Sequence, residues 1–153
     1  MHAPIHERGC ERGTATIELA VGLPLLLLTL LATAELGRML SQYDTLTKTV
    51  RDGARYLAAN AALGTTGVIN LTPALTTATK NLVVKGNATG SGNALLPNLA
   101  AGNVSVTSLA NGYVSVSASY QYVPMLGANL PSFGQGSINT AVTLNATSVM
   151  RPL

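Results

Sequence analysis

The chain has 153 residues, room for one domain with a separable anchor, and it pairs 47% hydrophobic content with only 10% charge, a balance unusual for a wholly soluble domain. Its formal net charge of +3 is too small and too dispersed to make a duplex-binding surface, so no nucleic-acid partner is expected. A single cysteine, Cys10, excludes an internal disulfide framework.

Neither apolarity nor charge is evenly spread. Residues 19–34 carry no charge, whereas residues 86–150 are rich in Asn, Ser, Thr, Gly and Val. All six acids (Glu7, Glu11, Glu18, Glu35, Asp44 and Asp52) precede Gly53, and after it come only Arg55, Lys80, Lys85 and Arg151. The apolar surplus is therefore local, as in a tethered protein. The remainder has the polar, uncharged, strand-prone composition of an exported or polymer-packed domain.

The first thirteen residues are polar. His2, His6 and Cys10 would share one face of a helix, but three lone residues near a polar terminus are ordinarily incidental, and no metal is expected. The apolar run that follows has sixteen uncharged residues, short of the ~20 a spanning helix needs. Extending it to about 17–40 supplies the length at the cost of including Glu18, Glu35 and Arg38. Gly22 and Pro24 lie inside, and the proline should kink the helix by removing one backbone donor.

Glu18 is the most informative residue of this segment. A carboxylate near the centre of a membrane helix costs about 2.5–3.5 kcal/mol on insertion scales, and less near an end. Two readings stand: a side chain snorkelling to the interface, or a partner for a positive group. The segment also has a competing reading. Arg8 and Arg12, the apolar run and Ala32-Thr33-Ala34 together look like a secretory signal peptide cut before Glu35, which would release a secreted or periplasmic binding protein. Glu7 and Glu11, which offset the arginines, and Glu18, which interrupts the run, weigh against it. Basic residues do not settle orientation, since Arg38, Lys48, Arg51 and Arg55 lie beyond the span.

Apolar periodicity continues past the span. Leu36, Met39, Leu40, Tyr43, Leu46, Val50, Ala54 and Leu57 recur in three- and four-residue steps and fall within an arc of roughly 100–120°, the width of a packing stripe. Lys48, Arg51 and Arg55 cluster on another side, with Asp44 one turn before Lys48. That face reads as solvated, with contact to lipid phosphates or a partner as the sharper alternative. A helix over 14–61 would be ~70 Å long, and its stripe must bury against the C-terminal domain or against neighbouring copies.

Residues 62–153 read as an α+β domain. Residues 64–70 form a linker, and Thr72-Pro73 is an N-cap with proline at the first helical position, opening a helix over 73–85 with Leu75, Leu82 and Val83 inward. Residues 86–92 read as a flexible loop. Three strands follow, making a small antiparallel sheet whose apolar face packs on the long helix. The strand over 103–109 turns Val104 and Val106 inward. The strand over 113–123 turns Val114, Val116, Ala118, Tyr120 and Tyr122 inward. The third, over 137–150, does so with Ile138, Thr140, Val142, Leu144 and Ala146. A two-residue Asn111-Gly112 turn would mismatch the faces. A three-residue turn, Ala110-Asn111-Gly112, sets Val106 opposite Val116 and Val104 opposite Ala118, with Gly112 left-handed. A proline- and glycine-bearing loop, 124–136, joins the second and third strands.

No catalytic constellation emerges. Both histidines lie in the first six residues, and the domain after Gly53 offers no acid, His or Cys to converge on a substrate. Gly90-Ser91-Gly92 and Gly134-Gln135-Gly136-Ser137 are not phosphate loops, because neither is followed by a GK[ST] motif or a helix pattern. No cofactor is expected. The glycosylation triplets at Asn70, Asn87, Asn103 and Asn145 are of the kind chance supplies in so Asn- and Thr-rich a chain.

Residues 12–58 resemble the TadE-like pseudopilins. That family typically shows an Arg-Gly pair, small residues and a Glu before an apolar run with proline. It continues with Glu-aromatic/aliphatic-Gly-Arg and, about fifteen residues on, Gly-Ala-Arg-aromatic. Here these are Arg12-Gly13, Glu18, Leu23-Pro24-Leu25, Glu35-Leu36-Gly37-Arg38 and Gly53-Ala54-Arg55-Tyr56, with Leu19 where the family often has an aromatic. The resemblance implies a pilin-like fold, removal of a cytoplasmic leader, 1–13, by a prepilin peptidase cutting between Gly13 and Thr14, and a helix-packing role for Gly53, Ala54, Arg55 and Tyr56. Glu18 would meet the freed N-terminal amine of a neighbouring subunit, a pairing that offsets its desolvation. The implied protein is a minor pilin of a Tad-type (type IVc) pilus, active in assembly and adhesion. It would be a non-enzymatic, single-pass protein of the bacterial inner membrane with its N-terminus cytoplasmic and its domain extracytoplasmic. Its partners would be membrane lipid, the peptidase, other pilin and pseudopilin subunits and the assembly platform. An unprocessed membrane-anchored adhesin is a third reading.

Overall fold

The fold was obtained as a computed structural model, which describes residues 11–62, 68–125, 127, 129–131, 137–139 and 141–152. His2, His6 and Cys10 lie outside them. The chain divides into two compact units, Met1–Arg38 and Met39–Leu153, and one 50-residue helix, α1 (Glu11–Asn60), contributes to both. The helix is already formed at Glu11, the first described residue, and so includes Glu11-Arg12-Gly13 ahead of the expected Thr14.

In the first unit α1 has no packing face. Ile17, Leu19, Val21, Leu23, Leu25–Leu28, Leu30 and Leu31 are all exposed. Its most apolar 18-residue window has a mean hydropathy of 2.1 with none of it buried. A helix greasy on every side suits a lipid environment rather than one wall of a core. The hydroxyls within the run are locally satisfied: Thr29 Oγ1 donates to the Leu26 carbonyl and Thr33 Oγ1 to the Leu30 carbonyl, both at 2.8 Å. Pro24 lies inside the helix, where its ring leaves the Ala20 carbonyl without an α-helical donor.

In the second unit α1 has a single buried face. Leu46, Val50, Ala54, Leu57 and Ala58 are buried there, with Ala61 buried just beyond the helix end, and Met39 packs on the same core from its margin. Beyond α1 the chain doubles back through an antiparallel bridge, Ala62 to Ile69, and a hydrogen bond from Asn70 N–H to the Ala61 carbonyl at 2.9 Å. The second helix, α2 (Pro73–Lys85), has the expected bounds. Thr72 Oγ1 accepts from the Leu75 amide at 3.2 Å, and Gly86 closes the other end at φ 76° with its N–H on the Leu82 carbonyl. Its inner face differs from expectation: Thr79, Val83 and Val84 are buried, while Leu82 is only half-buried. The face follows the four-residue step from Leu75 through Thr79 to Val83, and Thr79 enters it because its hydroxyl is satisfied by the Leu75 carbonyl at 2.8 Å.

The loop after α2 is held by its own side chains, contrary to the flexible segment expected for residues 86–92. Asn87 Oδ1 accepts from Ser91 N–H and from Thr89 Oγ1, each at 3.0 Å, while its amide donates to the Ser91 carbonyl at 2.7 Å. Lys85 Nζ donates to the Gly90 carbonyl at 2.5 Å. The chain then buries Leu96 and Leu99 before a short 3₁₀ turn, Ala101–Asn103.

Five strands follow: β1 (Val104–Leu109), β2 (Tyr113–Gln121), β3 (Asn129–Pro131), β4 (Ser137–Asn139) and β5 (Thr143–Met150). β1, β2 and β5 form one antiparallel sheet in that order, and β3 and β4 pair separately. The β1–β2 register sets Val104 opposite Ala118, Val106 opposite Val116 and Leu109 opposite Tyr113, with Gly112 at φ 75°. The hairpin thus has the three-residue turn that face-matching requires. On β2 the inward series Val114, Val116, Ala118 and Tyr120 is buried, with Tyr122 continuing it. The single third strand expected over 137–150 is instead two. Residues 137–139 pair back on β3, and only Thr143–Met150 joins the sheet, turning Leu144 and Ala146 inward. Val142 stands 43% exposed, and Thr140 lies outside the described residues. The alternation that suggested one strand is interrupted where the local β3–β4 pairing competes with the longer-range one.

Candidate functional site

The residues singled out by sequence fall on α1, at three levels. At the N-terminal level, Gly13, Thr14 and Glu18 are exposed. A Cβ added at Gly13 would meet nothing within 4 Å. Glu18 follows Thr14 by four residues, one turn on the same helix face. Among the described residues Glu18 has neither an ion pair nor a hydrogen bond from its own chain.

At the middle level lie Glu35, Leu36, Gly37 and Arg38 and the apolar positions beyond them. Leu36 is 53% exposed, Leu40 57% and Tyr43 43%. The stripe expected to run unbroken from Leu36 to Leu57 is therefore divided. From Leu46 onward its own domain covers it, and before Leu46 only Met39 reaches the core. Angular position does not separate the two parts, since Leu36 and Tyr43 share the arc of the buried residues. They differ in how far along α1 the folded domain extends. Gly37 is similarly bare, with nothing within 4 Å of an added Cβ.

At the third level the Gly53-Ala54-Arg55-Tyr56 motif is split between interior and surface. A Cβ on Gly53 would stand 2.5 Å from Val83 Cγ2 and 3.7 Å from both Thr79 Cγ2 and the Thr79 carbonyl oxygen. Gly53 is thus where α2 crosses α1 too closely for any side chain. Ala54 is fully buried beside it, Arg55 is exposed, and Tyr56 is half-buried with its carbonyl accepting from Asn60 Nδ2 at 2.8 Å. On the outer face Asp44 and Lys48 form an exposed i,i+4 ion pair at 2.6 Å, the solvated arrangement the spacing suggested. Arg51 and Arg55 are exposed too, without an ion pair among the described residues.

One contact had no sequence signal strong enough to find it. Buried Tyr120 on β2 donates its hydroxyl to Gln42 Oε1 on α1 at 3.0 Å. A buried tyrosine needs such a partner, so the alternation that placed Tyr120 inward implied an acceptor without saying which. Leu96 and Leu99 were likewise missed, the only hint being their three-residue spacing between glycine and proline punctuation. Among the described residues no group of three His, Cys, Asp or Glu side chains gathers.

Residues 13–55 match the family model of TadE-like proteins. That stretch holds Gly13, Thr14, Glu18, the Glu35–Arg38 motif and Gly53, Ala54 and Arg55, and it leaves the sheet outside. No curated protein and no solved structure matches the chain.

Proposed function

We propose that this chain, whose residues 13–55 match the family model of TadE-like proteins and whose first helix is long and apolar enough to cross a membrane, is a minor pilin of a Tad-type (type IVc) pilus, cut between Gly13 and Thr14 and assembled through α1. The observation that carries this reading is the bare first half of α1. Among the described residues its apolar surface and the Glu18 carboxylate find no partner, although the second half of the same helix is buried on one face. Lipid satisfies the apolar surface. It does not satisfy a carboxylate, whose burial needs a paired charge.

Processing supplies that charge. Cleavage after Gly13 would make Thr14 the first residue, with a free amine, and Glu18 would lie one turn in. A carboxylate there is favoured by the positive end of the helix macrodipole and by the amine of an adjacent subunit's helix. Leu36, Leu40 and Tyr43 would then be covered by neighbouring subunits. In this reading the domain lies outside the inner membrane, and the peptidase, the assembly platform, other pilin subunits and lipid are the partners. In this reading the protein contributes packing and attachment rather than catalysis.

The test is Glu18→Ala in a strain that builds the pilus. The variant should accumulate in the membrane at normal levels and be depleted from sheared pili by about tenfold or more, the scale of a lost charge pair. Glu18→Asp should recover part of the incorporation. Normal incorporation of Glu18→Ala would sink the assembly role.

A further inference from the structure

β1 and β5 are the outer strands of the three-stranded sheet, and neither carries a charge, a proline or a bulge. On β5, residues 143–150 bond only to β2. On β1, residues 105–108 bond only to β2 as well, and the Leu109 carbonyl also accepts from Gly112 N–H in the turn. Every other backbone N–H and C=O of each strand therefore points outward without a partner among the described residues. Edge strands are ordinarily blunted by lysine, proline, a bulge or short length. Here neither strand holds a charge or a proline, both registers are unbroken, and β5 is eight residues long. No Asp, Glu, Lys, Arg or His occurs anywhere in residues 86–150, so like charges would not keep two such edges apart.

The order β1–β2–β5 decides which edges can meet. β1 and β5 are each antiparallel to β2, hence parallel to one another. Two copies anchored the same way up and set side by side present β5 of one to β1 of the next, running in the same direction. Pairing β5 with β5 would instead need an antiparallel match with the core faces aligned, which turns one copy, and its anchor, end for end. We propose that neighbouring copies of this chain join β5 of one to β1 of the next in a parallel ladder, extending the sheet from copy to copy.

Side-chain character fits the junction. On the outer face, Ser105 and Thr107 of β1 would lie beside Thr143, Asn145 and Thr147 of β5, all exposed, and hydroxyl and amide pairs across strands are favourable. On the core face, half-buried Val106 would cover the half-buried Ser148 and Met150 that β2 alone leaves open. A ladder this short is below the size of a stable solution interface. It would form where anchoring holds copies at high effective concentration. Being heterologous, it propagates rather than closing into a pair.

The inference rests on the reading that copies stand together in a membrane or pilus, and it is tested on the full-length chain in membranes, before any pilus is made. In a Cys10→Ser background, two populations are co-expressed, one carrying Ser105→Cys or Thr107→Cys and the other Asn145→Cys or Thr147→Cys. Strands in register bring such Cα atoms to about 4.8 Å, within disulfide reach. The expected result is a mixed disulfide dimer in one of the four combinations, at least fivefold above the level given by either variant alone. Two results would overturn the proposal. One is no mixed dimer in any combination when both variants are present and folded. The other is self-dimers of the β5 variants alone, which would mean that the edges meet antiparallel. A Glu18→Ala assembly defect without mixed dimers would remove this inference and leave the proposed function standing.

Discussion

The two halves of α1 are one helix in two different surroundings. From Ile17 to Leu31 its large apolar side chains are exposed on all sides, and from Leu46 to Ala58 its apolar side chains are buried on one. The same leucines therefore carry different meanings. In the second half each is fixed by a facing side chain, so shape matters. In the first half no facing side chain covers them among the described residues. The glycines tell the same story. Gly53 is enforced by Val83 at 2.5 Å, whereas Gly13, Gly22 and Gly37 have nothing within 4 Å of an added Cβ.

Substitutions can break this contrast, the largest effect coming first. Leu57→Ala removes a fully buried side chain and should cost about 2–5 kcal/mol of stability. Leu26→Ala should change the unfolding of the extramembranous domain by no more than ~0.5 kcal/mol. Both are read by thermal unfolding of the full chain in detergent, and equal losses would erase the distinction. Gly53→Val drives a side chain into Val83 and should destabilise by about 1–3 kcal/mol. Adding Val83→Ala should recover part of that loss, and Gly37→Val should leave domain stability unaltered. A stable Gly53→Val protein would show that the close crossing of α1 and α2 is not a constraint. Tyr120→Phe removes the hydroxyl that reaches Gln42 at 3.0 Å and should cost about 1 kcal/mol. Hydrogen exchange should rise along α1 near Gln42 if that bond pins the sheet to the helix.

Much of this was legible wherever one residue's burial repeats with a fixed period. The β2 alternation, the α2 bounds and the hairpin turn all follow from local rules, and the turn could be chosen because only one loop length matches Val106 to Val116. Legibility failed where two local rules compete. Residues 137–150 alternate cleanly, yet 137–139 pair with Asn129–Pro131, and periodicity cannot tell which partner a strand takes. It failed again where side chains replace secondary structure, as with Asn87 tying its loop, since polar loop residues read alike whether they are knotted or free. In the segment that matches the TadE-like model, residues 13–55, the motif was readable, but the division of the stripe was not. How far a folded domain reaches along a helix is a tertiary quantity, invisible in the 3.6-residue period that Leu40 and Leu46 share.

The central claim is that the bare half of α1 stays on the protein and works there. The most direct measurement is the N-terminal residue of the mature chain isolated from membranes or sheared pili. The account predicts Thr14, with Glu18 and the whole apolar run retained. A mature chain beginning at Glu35 would mean that the run is a discarded signal peptide, and it would contradict the account outright.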